Sequence, residues 1–169
     1  PVGRAVGPAL EALDVLAVLK GEPHPPSDLR GRACLLAGAI LELGGAAAAG
    51  GGLALAETTL TSGAAWTKFE RIRAAQGGAR IPPAAALVEE ITARHSGRVT
   101  HIDNRRIARL AKLAGAPDTP AAGLRLAVRL GDDIAAGQPL LSLYADSQGE
   151  MAYALAYAAA NPDMIAIAG

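Results

Sequence analysis

The sequence predicts an α+β fold, and three observations carry that prediction. Apolar residues recur at helical spacing through roughly the first 75 positions. A proline- and alanine-rich stretch at 79–86 then breaks the pattern. Beyond it apolar and polar residues alternate at the two-residue period of strands. The organisation expected is a helical segment over residues 1–78, a linker over 79–86 and a mixed module over 87–169.

Pro8 stands where a first-turn proline is tolerated. Residues 9–20 then run almost wholly apolar until Gly21 and the prolines at 23, 25 and 26 stop them. Such a helix should be buried on most of its circumference. Ser27 and Asp28 are cap-type residues, and Leu29, Ala33, Leu36, Ala37 and Ile40 recur at helical spacing until Gly44-Gly45. The glycine-rich stretch that follows, up to Gly52, has no Lys-Ser or Lys-Thr after it and no strand before it, so it reads as a helix connection and not a phosphate loop. Helices are expected over 53–61 and 65–75. The second carries Trp66, Phe69 and Ile72 on one face, expected to pack on the earlier helices, with cover by a partner or by another part of a longer protein as the alternative.

In the second half, strands are expected over 87–92 and 97–102 and a helix over 104–114. Leu124, Leu126, Val128 and Leu130 alternate with Arg125, Ala127 and Arg129, which reads as one half-buried strand with a basic outer face. Gly131-Asp132-Asp133 is a turn. A strand over 140–144, a helix over 149–160 and an edge strand over 164–168 complete the chain.

Sixteen basic and sixteen acidic side chains cancel, and aromatics are only 3% of the 169 residues. There is neither the positive field nor the stacking surface of a nucleic-acid binder. Charged residues or glycines interrupt every apolar stretch well before the roughly 20 residues a bilayer requires, so no membrane association is expected. The single cysteine, Cys34, has apolar neighbours and reads as a core thiol, which fits a reducing cytoplasm. Pro1-Val2-Gly3-Arg4 has neither an initiator Met nor the order of a secretory signal, and suggests a chain that begins mid-protein.

Four stretches carry a family likeness: Pro1 to Ala12 with Asp14-Val15-Leu16; Trp66-Thr67-Lys68-Phe69-Glu70 leading to Ala75-Gln76-Gly77-Gly78; Ser96 to Asp103 with Gly115-Ala116-Pro117; and Gly123 through Asp132 to Gly137-Gln138-Pro139-Leu140. Together, in this order, they resemble the thymidine/pyrimidine-nucleoside phosphorylases, nearest the branch holding type-2 thymidine phosphorylases and AMP phosphorylases. The resemblance implies a helical segment continuing that family's large domain, followed by its barrel-sandwich or hammerhead-like C-terminal α/β module. It also implies a homodimeric parent that uses inorganic phosphate to split a nucleoside or nucleotide into free base and sugar 1-phosphate. No cofactor is required, although the family can hold a potassium ion.

That chemistry needs a phosphate cradle and cationic donors near the departing base. In the family these precede Pro1, so the chain alone is expected to be inactive. By the same resemblance Val2 and Glu11 match positions that help hold the potassium, through a backbone carbonyl and a carboxylate. Glu11 reads equally as a first-turn carboxylate favoured by the helix dipole. Arg4 and Ala5 lie in the loop turned toward substrate. Arg30 or Arg32, Arg32 above all, falls where an AMP phosphorylase places a basic contact, with solvated helix charges as the alternative.

His24, His95 and His101 have no spacing that would bring two onto one metal. The pairs Glu89-Glu90 and Asp132-Asp133 are adjacent in sequence, which sets strand neighbours on opposite faces and leaves turn residues in water. Arg105-Arg106 reads as a solvated helix corner. Phrases around Gly97 and Gly131 to Gln138 also resemble biotinyl and lipoyl carriers. The only lysine between them, Lys112, lies inside a helical pattern, so a non-catalytic structural or dimerisation module is the alternative reading, without carrier chemistry.

Overall fold

The computed structural model describes residues 2–169; Pro1, which opens the first family stretch, lies outside the described residues. The chain forms two compact units, one of Gly3–Ala12 with Pro82–Gly169 and the other of Leu13–Ile81.

The Leu13–Ile81 unit is helical. It contains all but the first turns of α1 (Pro8–Lys20), then α2 (Ser27–Leu43), α3 (Gly52–Thr61) and α4 (Ala64–Ala75). Each lies within a residue or so of its expected position, because glycines and prolines punctuate every end. What the periodicity did not give is which face packs. On α2 only Cys34 and Gly38 are buried, while Leu36, Ala37 and Ile40 of the spaced set point outward. Gly38 is the reason. An added Cβ there would come 2.6 Å from the Leu53 nitrogen, so α2 and α3 touch backbone to backbone along the glycine face and leave the bulky face open.

α1 likewise buries only Ala9, Leu10, Asp14 and Val18, instead of most of its circumference. Leu13 and Val15 are exposed, because the few helices of this unit do not wrap it. On α4, where an internal core was expected, no residue is fully buried: Trp66 and Phe69 are partly buried and Ile72 is exposed. Their rings, 5.8 Å apart, are covered by cations: the Lys20 ammonium lies 5.4 Å from the Trp66 centroid, and the Arg73 guanidinium 5.7 and 5.5 Å from the two rings.

The other unit holds β1 (Ala5–Val6), β2 (Leu87–Thr92), β3 (Gly97–Ile102), α5 (Asn104–Leu113), β4 (Gly123–Leu126), β5 (Asp133–Ile134), β6 (Pro139–Ala145), α6 (Gln148–Ala160), a 3-10 turn (Pro162–Met164) and β7 (Ile165–Ala168). Two sheets result, in the orders β1-β4-β6-β2 and β5-β3-β7, with every pairing antiparallel. Neither closes into a barrel. The α+β class stands, and the core gathers Val99, Ile107, Leu110, Leu124, Leu141 and Leu143 between sheets and helices.

Both helices of this unit begin on side-chain caps. The Asp103 carboxylate accepts from the amides of Arg105 and Arg106 at 3.0 and 3.1 Å. Ser147 caps α6: its Oγ accepts from the Glu150 amide at 3.2 Å and donates to the Glu150 carboxylate at 2.8 Å.

The long alternating strand is cut short. β4 ends at Leu126; Val128 is buried outside it and Leu130 is exposed. The turn chemistry wins: Arg129 N donates to the Asp132 carboxylate at 2.8 Å and Gly131 N to the Val99 carbonyl at 2.8 Å, which draws the chain away from β6. β1 and β5, two residues each, are strands that the sequence reading lacked.

Candidate functional site

The segment expected nearest substrate folds as the edge of the larger sheet. Ala5 and Val6 pair with Arg125 and Leu124, and the Arg4 carbonyl accepts from Leu126 N at 2.7 Å. Gly7 and Gly123 lie so close that a Cβ on either would run into the other strand's backbone, at φ values of 137° and 147° that favour glycine. Ala5 is buried by this pairing. The Arg4 guanidinium reaches the Ala127 carbonyl at 3.5 Å, along the end of β4.

Glu11 faces back onto this loop. Its carboxylate accepts from Gly7 N at 2.9 Å, and Ala9 N donates to the Pro120 carbonyl at 2.9 Å, so strand and helix start are latched to the sheet together. Val2 is exposed and groups with the other unit. One carboxylate already receiving an amide, and one carbonyl on an exposed residue, do not make an oxygen shell for a hard cation. The residues present therefore do not by themselves fit a potassium ion.

Arg32 is exposed on α2. Its neighbour Arg30 lines a recess of about 160 Å³ with Val18, Lys20, Leu60 and Trp66. A larger groove of about 550 Å³ runs between the free edges of β2 and β7 over the end of α6. Its walls include Ile91, Leu141, Leu155 and Ile165, and Glu90, Arg94 and His95 stand among its polar lining. This arrangement suits apolar contact more than acid–base chemistry.

The other titratable groups are dispersed. His24 sits in the proline-rich loop with a φ of 59°, His95 Nδ1 lies 3.2 Å from the Ser96 carbonyl, and His101 is exposed on β3. Among the described residues no three His, Cys, Asp or Glu side chains come together as a metal site. Arg106, expected as a solvated corner, ties the start of α5 to the last turn of the fold through Asp103 at 3.4 Å and Asp163 at 2.7 Å. Lys112 is on the exposed side of α5 and not at a hairpin tip. Among the described residues no helix is long and apolar enough to cross a membrane.

Sequence reasoning missed the anchor between α2 and α3. Glu42 accepts from Gly52 N at 2.8 Å, and the amides of Gly52 and then Gly50 hold its carboxyl below the usual carboxylate range. The signal was there, as an acidic residue ahead of a glycine-rich helix start.

Comparison with known proteins gives these features a context. Residues 98–164 match the model of the pyrimidine nucleoside phosphorylase C-terminal domain. Proteins named "Putative thymidine phosphorylase" from Parvibaculum lavamentivorans and Chelativorans are 59% and 58% identical, each over 99% of this chain and 33% of their own length. One of the same name from Tolumonas auensis is 61% identical over 93% of the chain and 31% of its own. The chain thus spans about a third of the length of the curated relatives it matches. It belongs to the thymidine/pyrimidine-nucleoside phosphorylase family and carries that family's C-terminal domain.

Proposed function

We propose that the chain is the C-terminal part of a thymidine phosphorylase. The whole enzyme would catalyse reversible phosphorolysis of a pyrimidine (deoxy)nucleoside to free base and (deoxy)ribose 1-phosphate. The observation that carries this reading is identity near 60% through almost the entire chain with relatives bearing that name. In the reaction a phosphate oxygen bonds to the anomeric carbon as the bond to the base nitrogen breaks, and the electron pair leaves with the base. Fixed donors around phosphate and cations near the base would lower that barrier.

On this reading the chain's share of the site is Arg4 and Ala5, and the remaining contacts come from polypeptide outside the matched third. Arg4 is held through its carbonyl, which accepts from Leu126 N where β1 meets β4, and this suits a residue that must keep its place at a site edge. The nucleoside and inorganic phosphate are the ligands of the whole enzyme, which acts as a homodimer. No step is assigned to a potassium ion.

The purified 169-residue chain should release no base from thymidine, uridine or AMP in the presence of phosphate. Phosphate-dependent release that Arg4→Ala abolishes would overturn the division of labour proposed here. Preference among those substrates in the whole enzyme would decide between a thymidine and an AMP phosphorylase.

A further inference from the structure

Residues 33–41 of α2 are nine consecutive positions without a charge. One face of this run is taken up by α3 through Cys34 and Gly38. The opposite face is open: Leu35, Leu36, Ile40 and Leu43 expose 55, 53, 68 and 89% of their surface. Glu42, the acidic group at that end, is turned to the Gly52 amide and does not solvate the outer face. A helix apolar on all sides is one that is covered on all sides, and four large aliphatic side chains together exceed the single exposed residues that any surface carries.

We infer that the Leu36/Ile40 face of α2 is an interior packing face, covered in the full-length protein by the two-thirds of polypeptide that relatives carry outside the matched region. This rests on the reading of the chain as part of a longer enzyme. One observation favours polypeptide of the same chain over a second copy. The relatives contain about twice as much chain outside the match as within it, enough to supply a covering layer.

The test is co-expression of the 169-residue chain with the part of the Parvibaculum lavamentivorans relative that lies outside the matched region. A 1:1 complex is expected on gel filtration, with the amides of 33–43 gaining protection from hydrogen exchange. The double variant Leu36→Lys/Ile40→Lys should weaken the complex at least tenfold. Leu130→Lys, an exposed leucine of the other unit, should leave it unchanged. Both substituted leucine and isoleucine positions are open to solvent, so the variant chain should keep its circular dichroism and bind less of a hydrophobic dye than the unaltered chain.

A homodimer joined through α2 that excludes the added polypeptide would overturn the inference in favour of a second copy. So would a complex indifferent to the double variant, or a monomeric chain with no complex. Phosphorolysis is read separately: a complex that forms but splits no nucleoside would overturn the proposed function and leave the packing face standing.

Discussion

Gly38 and Gly52 occupy positions where any side chain meets backbone, whereas Gly31, on the same helix, has open space around its Cβ position. The three therefore separate packing from helix propensity. Gly38→Ala should destabilise the helical unit by about 1–3 kcal/mol through overpacking, and Gly31→Ala should stabilise it by about 0.5–1 kcal/mol, both read from urea unfolding followed by circular dichroism. Beside them Glu42 makes the same junction sensitive to acid. Its folded-state pKa is depressed from 4.5 by the Gly52 amide first and the Gly50 amide second. The stabilisation is therefore present above the unfolded value and is lost as pH falls through the folded one. Between pH 6 and pH 3 the midpoint should drop more for the unaltered chain than for Glu42→Gln, which already lacks the charge at pH 6.

At the scale of elements, α5 depends on Asp103, whose carboxylate is held below its usual range by the Arg106 amide first, against a smaller opposing effect of burial. Asp103→Ala leaves two amides of the first turn without that acceptor and should cost about 1 kcal/mol in thermal or denaturant unfolding. Asp103→Asn should recover most of it.

β2 and β3 fall where the sequence put them, because Val88, Ile91 and Thr92, then Val99, Thr100 and Ile102, gather β-branched residues on either side of a short polar break at 94–96. β4 does not extend as far as the sequence suggested, because alternation runs on to Leu130 while Gly131 and Asp132 have already turned the backbone. Period identifies α2 as a helix, yet it cannot say which of two apolar faces is used when a glycine permits backbone contact on one of them. The candidate site was legible only through likeness to a family: nothing in the composition of Gly3 to Gly7 announces a strand, and its partner lies far along the chain.

For the molecule as a whole, residues 3–12 complete the unit formed by 82–169 and belong with it. They fill the outer edge of β4 and latch onto Pro120 and Leu126. A fragment of residues 82–169 should therefore melt at least about 4 °C below the same fragment supplemented with a saturating peptide of residues 2–12, equivalent to about 1 kcal/mol for a domain of this size. Equal melting temperatures would mean that β1 rests on the sheet without supporting it. The irregular stretch at 79–86, with Ile81 almost fully exposed, should be the first point cut by dilute trypsin, at Arg80.

The pairing of Ala5 with Arg125 also sets an order of events during synthesis. The first strand leaves the ribosome about 120 residues before its partner, a delay of roughly 6–24 s at 5–20 residues per second. Through that interval Ala5 and Val6 have no sheet to join. The helices that follow them emerge first, and this edge of the sheet is among the last features of the nascent chain to be completed.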